Sequence, residues 1–190
     1  MSENVEDQIK FIVRYGKISK KAKILLNSIK RMFEPNTNTR FNETNKFDFK
    51  LYKKLAEMYR IDTFIVLKES KNSIHIKMSK ANEQMTIYLQ VMGFDAYSVN
   101  GNYKSDALLT FSGFDKDDAF KKLFGRQHFE NVDSVERVIN FTRDGECIYV
   151  RHYKILRNEG RCVKIGLKEL GPKIKMKCVK TDESSLGERW

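Results

Sequence analysis

Cysteine is scarce in this chain: Cys147, Cys162 and Cys178 are the only three in 190 residues. Their number is odd, their spacing wide and their surroundings apolar, so neither a disulfide framework nor a zinc cage is expected. Reduced thiols in an intracellular protein fit that pattern. Histidine is as rare, and His75, His128 and His152 stand far apart, without the spacing of a metal pair. A Gly-rich phosphate loop and a Gly-x-Ser-x-Gly elbow are both missing. Asp115, Asp117 and Asp118 cluster, but no downstream ligand follows at calcium-loop spacing, and they read as the start of a helix. No enzyme class is therefore indicated, and neither a cofactor nor a metal is expected. No apolar run approaches the roughly 20 residues that cross a bilayer. The start, Met1-Ser2-Glu3-Asn4-Val5-Glu6-Asp7, is acidic, unlike a signal peptide.

What the chain has is apolar substance and positive charge. Hydrophobic residues make up 41% and aromatics 12%, enough for a packed body rather than a disordered chain. The net charge is +11. Residues 1–60 hold 14 basic and 7 acidic side chains, and residues 151–180 hold 10 and 2. The stretch 61–150 is slightly acidic, with 11 against 13. Two basic blocks thus flank a near-neutral centre, the distribution expected of a surface that holds phosphate.

Periodicity predicts strand, helix and strands, twice over. Lys10–Tyr15 reads as a strand, then Ser19 caps a helix with Ala22, Leu25, Ile29 and Met32 on one stripe, ended by Pro35. A second helix is expected from about Lys46 to Tyr59, with Phe47, Leu51, Leu55 and Met58 inward. Thr63–Leu67 and the alternating runs at Ile74–Met78 and Met85–Leu89 read as strands. The order then restarts: a short strand at Ala107–Phe111, a helix from Asp115 with Lys121 and Lys122 in its last turn and Gly125 just beyond, and two strands around Arg143-Asp144-Gly145, a hairpin signal. Val163, Ile165 and Leu167 alternate with Lys164 and Lys168; after Gly171-Pro172, Ile174, Met176 and Cys178 alternate with Lys173, Lys175 and Lys177. The expected fold is α/β, two similar halves at about 9–95 and 103–181 docked into one compact body. Residues 1–8 and 182–190 are read as short tails.

Arg151-His152-Tyr153-Lys154-Ile155 and Leu167-Lys168-Glu169-Leu170-Gly171-Pro172-Lys173-Ile174 resemble the two hallmarks at the C-terminal end of a Brix domain. Phe11-Ile12-Val13-Arg14-Tyr15-Gly16-Lys17-Ile18, Met32-Phe33-Glu34-Pro35-Asn36-Thr37 and Asp62-Thr63-Phe64-Ile65-Val66-Leu67 are most similar to the Peter Pan subfamily. Relatives carry a long insertion between the hallmark strands and long charged tails. Here the insertion shrinks to the residues around Arg157–Arg161 and the tail to Thr181–Trp190. The resemblance implies a nuclear, largely nucleolar protein that binds precursor ribosomal RNA and helps mature the large subunit. It also implies two anticodon-binding-domain-like halves and one stable partnership with another assembly factor.

The residues expected to hold RNA are Lys20, Lys21, Lys23, Arg151, Lys154, Lys164, Lys168, Lys173, Lys175 and Lys177. Lysines on the strands 163–168 and 173–177, taken as neighbours, would form one positive face that grips backbone phosphate. A half-buried strand with solvated lysines gives the same alternation. Tyr149, Arg151 and Tyr153 share a side and could stack bases, or the tyrosines could pack under a helix while Arg151 pairs with Glu169. His152 falls on the inward side, as a hydrogen-bonded histidine at the core margin. Two functions remain open: a non-enzymatic RNA-binding scaffold, and a protein-interaction platform with little direct RNA contact.

Overall fold

The structure is a computed structural model and describes residues 9–39, 41, 43, 48–71, 73–81, 83–96, 103–125, 127, 129, 132–159 and 163–183. Expectations that fall on Phe47, His128, Arg161, Cys162, residues 1–8 and residues 184–190 lie outside these residues, while Asp182, expected in the C-terminal tail, belongs to the last strand.

The strands are β1 (Ile9–Tyr15), β2 (Ile61–Ser70), β3 (Ser73–Lys80), β4 (Thr86–Asp95), β5 (Leu108–Ser112), β6 (Arg137–Asp144), β7 (Cys147–Glu159), β8 (Val163–Glu169) and β9 (Lys173–Asp182). The helices are α1 (Lys20–Met32), α2 (Phe49–Tyr59) and α3 (Ala119–Lys122). One mixed sheet takes in all nine strands in the order β1-β2-β3-β4-β9-β7-β6-β5, with β8 attached to β7. Both outer pairs, β1–β2 and β5–β6, are parallel, and the pairs between them are antiparallel. The last strand in sequence, β9, lies at the centre and joins the first four strands to the rest.

Alternation sorts each strand into two faces. Ile12, Ile65, Leu67, Ile76, Met78, Ile87, Leu89, Ile139, Phe141, Ile148, Val150, Ile174 and Met176 look to one side, where they form a single core with Ala22, Leu25, Leu26, Ile29 and Met32 of α1. Phe120, Leu123 and Phe124 join that core from the α3 segment, and Phe124 lies 5.9 Å from Phe33 and 4.9 Å from Phe141, ring centre to ring centre. The opposite side carries a smaller cluster, in which Tyr52 of α2 packs on Phe11, Val13, Phe64 and Val66. No described helix belongs to the other side of β9, β7 and β6.

Two expectations are corrected. Helix α2 buries Tyr52, with Phe49, Leu55 and Ala56 beside it, whereas Leu51 and Met58 face water. The aromatic cluster around Phe11 and Phe41 selects the stripe that carries Tyr52. Helix α3 starts after Asp118, which caps it through Phe120 N, rather than at Asp115. In β8, Ile165 and Leu167 alternate with lysines but are exposed. Cys147 and Cys178 are free thiols, both half-buried.

Gly113 ends β5 with φ of +74°, and a Cβ there would lie 2.3 Å from the Arg143 carbonyl oxygen. Gly113→Ala therefore meets both backbone strain and a main-chain clash at the β5–β6 edge. It is expected to cost about 3 kcal/mol, read as a lowered midpoint in urea.

Candidate nucleic-acid interface

Helix α1 begins where the Ser19 hydroxyl accepts from Ala22 N at 3.2 Å. Its first turn holds no acid, and Lys20, Lys21 and Lys23 stand exposed there. Cations at this end oppose the helix dipole. One carboxylate offsets them: Glu69 accepts from Ser19 N and from Ser19 Oγ, at 2.8 Å for the hydroxyl. Lys21 also reaches over the Phe94 ring at 5.2 Å. Arg31 stands exposed in the last turn of the helix. It shares a small crevice with Ser28, Met32, Tyr103, His152, Gly171 and Pro172.

That crevice marks the point where β7 changes partners. Residues Cys147–Val150 pair with β9, and Tyr153–Glu159 pair with β8. The two hallmark motifs meet here. Leu170 N donates to the His152 carbonyl at 2.8 Å, and the His152 ring bonds the Gly171 carbonyl through Nδ1 at 2.9 Å. Its Nε2 lies 3.1 Å from Arg137 Nη1. A guanidinium can only donate, so Nε2 accepts and Nδ1 carries the proton. His152 is 1% exposed, and burial is the main reason its pKa falls to about 4. Arg137 is 2% exposed. It also donates to the carbonyls of Met32 at 3.3 Å, Glu34 at 2.6 Å and Ser105 at 2.7 Å, and stacks on Tyr103. Sequence reading missed it, although Val135, Arg137, Ile139 and Phe141 share one parity and the other three are apolar.

Beyond this junction β7 and β8 form a two-stranded ribbon. Cross-strand partners share a face, so Lys154, Leu156 and Asn158 lie with Lys168, Gly166 and Lys164. Arg137 opposes Lys154 across β6–β7 and points into the α1 side. The three ribbon lysines therefore lie on the α1 side of the sheet. Lys154 and Lys168 stand directly opposite each other, and no ion pair to Lys154, Lys164 or Lys168 occurs among the described residues. Like charges so placed repel.

Arg151, Lys173, Lys175 and Lys177 lie on the other side. This corrects the expectation of one lysine face on neighbouring strands: β8 pairs with β7 and not with β9. Here charge is largely matched. Glu169 binds Arg151 and Lys173, each at 2.9 Å, and Glu146 binds Lys177 at 2.7 Å. Burial pushes the Glu169 carboxyl up, but its bonds to Lys173 and Arg151 outweigh that and hold it below the usual range. Lys175 lies 5.4 Å from the centre of the Tyr149 ring. Arg151 thus has the carboxylate partner that sequence suggested, while no described helix roofs the tyrosines.

Among the described residues, no group of three or more His, Cys, Asp or Glu is placed to hold a metal ion, and no helix is long and apolar enough to cross a membrane. Residues 15–180 match the family described as the Brix domain. No curated protein matches the chain by sequence. Among solved structures, the chain is similar to one titled as a probable ribosomal biogenesis protein from Aeropyrum pernix K1, with a TM-score of 0.56 and 11% identity. The match covers 90% of this chain and 96% of that one, and shows a shared fold.

Proposed function

The chain belongs to the Brix domain family, and from that premise we propose that it is a non-enzymatic assembly factor of the large ribosomal subunit that binds precursor ribosomal RNA. The observation that carries this reading is the Lys154–Lys168 pair, two cations held face to face with no ion-pair partner among the described residues. An RNA phosphate between them would turn a repulsion into two attractions. Lys164 extends this cationic face outward along the ribbon, while Arg31 lies at its root and Lys20, Lys21 and Lys23 at the far end of α1. RNA backbone would follow this side. On the other side Arg151, Lys173 and Lys177 would contribute less, because an incoming phosphate must first displace Glu169 or Glu146, while Lys175 stands against the Tyr149 ring.

The finer assignments belong to the same proposal. The parallel outer pairs, each spanned by helical sequence, support two similar halves at about 9–95 and 103–181. The N-terminal motifs support a Peter Pan relationship, and with it a nucleolar location and a stable protein partner.

The test is RNA binding by the full chain to structured ribosomal RNA fragments across salt. With roughly five to eight phosphates neutralised, affinity falls by orders of magnitude from 50 to 200 mM salt. Lys154→Glu/Lys168→Glu is expected to weaken binding at least tenfold, and more than Lys175→Glu/Lys177→Glu. A flat salt response, or equal tolerance of the first pair, overturns the reading.

A further inference from the structure

The β7–β8 ribbon has a second face. Alternation and register place Ile155 with Leu167, and Arg157 with Ile165, on the side away from α1. Ile165 is 68% exposed and Leu167 57%. On the outer edge of β7 the ribbon is tied down: Ile155 N donates to the Glu136 carbonyl at 2.8 Å, and the Arg157 guanidinium donates to the carbonyls of Asp133 and Val135. The outer edge of β8 pairs with nothing among the described residues. A ribbon of two strands is marginal in water, and a third strand is the usual remedy. Strand edges that stay free are normally short, twisted away or blocked by charge.

We propose that β8 accepts an extended segment of a partner protein as an added strand, with branched apolar residues alternating with Asp or Glu. Its apolar side chains would cover Ile165 and Leu167 on one face of the ribbon. Its carboxylates would meet Lys164 and Lys168 on the other, since a strand placed beside β8 presents its two faces in the same alternation. Main-chain hydrogen bonds along the free edge would supply the affinity and the two alternating faces the selectivity. Charge also argues against a second copy of the chain. Two β8 strands paired antiparallel in the register that joins all seven residues would set Lys164 against Lys168 twice. The lysines thus block self-pairing and admit an acidic strand. This inference specifies the partner expected above and does not depend on RNA binding, but the partner's carboxylates and RNA phosphate would compete for Lys164 and Lys168.

The experiment introduces a photo-crosslinking residue as Ile165→benzoylphenylalanine in the full chain, irradiates cells, and sequences the attached peptides by mass spectrometry. The expected product is one recurring protein segment in which apolar residues alternate with Asp or Glu over at least five positions. A synthetic peptide of that segment should bind the purified chain. Its affinity should drop at least tenfold with Ile165→Thr/Leu167→Thr, and again when alternate peptide nitrogens are methylated to remove ladder donors. Binding of ribosomal RNA fragments by the same Thr variant should be unchanged, which keeps this result separate from the RNA reading. Adducts to RNA, to a second copy of the chain, or to a basic segment overturn the proposal. So does a yield no higher than that from the same residue placed at the exposed Lys116.

Discussion

Arg137→Leu is expected to cost the folded chain about 3–5 kcal/mol, much of the stability an ordinary domain has. The guanidinium is the common partner of three carbonyls from two separate parts of the chain: Met32 at the end of α1 with Glu34 just beyond it, and Ser105 ahead of β5. Leucine fills some of the volume but donates nothing, so buried acceptors are left without partners at about 1–3 kcal/mol each where water cannot reach them. The stack on Tyr103, with the guanidinium carbon 3.9 Å from the ring centre, is lost as well. Arg137→Lys keeps the charge but not the planar fork that serves several acceptors at once, so it should fall between wild type and Leu. Urea unfolding followed by circular dichroism measures both. A midpoint for Arg137→Leu within error of wild type would mean that the carbonyls find other donors and that the clamp is dispensable.

The same cluster shows what the sequence made legible and what it hid. Strand β1, helix α1 with its Ser19 cap, the Asp-Gly hairpin between β6 and β7, and the inward side of β9 all follow from local periods and turn chemistry. Pairing partners do not. Lys164 and Lys168 looked adjacent to Lys173, Lys175 and Lys177 because their strands are adjacent in sequence. In the fold, β8 stays with β7 while β9 crosses to sit between β7 and β4. That exchange turns two lysine series that share an alternation pattern onto opposite sides of one sheet. Alternation in β8 is silent about burial: it reports that one face is apolar, not that anything covers it. Arg137 was hidden for a related reason. A cation on an apolar parity reads as an exception until the carbonyls that need it, up to 105 residues away in sequence, are brought to it. His152 was placed correctly on the inward side, because its strand neighbours Ile148 and Val150 fix the parity.

His152 should make the fold sensitive to mild acid. In the folded chain its pKa is lowered to about 4, first by burial, against the opposing bond to the Gly171 carbonyl, and further by the Arg137 charge. In the unfolded chain the ring titrates near 6.5. The unfolded state therefore binds the proton more readily, so stability is complete above about pH 6.5. It is lost as pH falls through the interval down to about 4, for a total of about 3 kcal/mol. Protonation would also place a second cation against Arg137 and remove the acceptor that its Nη1 uses, so the acid-induced loss and the Arg137 clamp are one event. Urea midpoints at intervals from pH 7.5 to 4 should trace the decline, and His152→Gln should flatten it over this interval at some cost in stability at neutral pH. In Arg137→Lys, the His152 ring resonances should remain depressed in titration, because burial and a neighbouring cation persist. A wild-type profile as flat as that of His152→Gln would show that the ring ionises freely in the folded chain, and the tautomer assigned to the clamp would then be wrong.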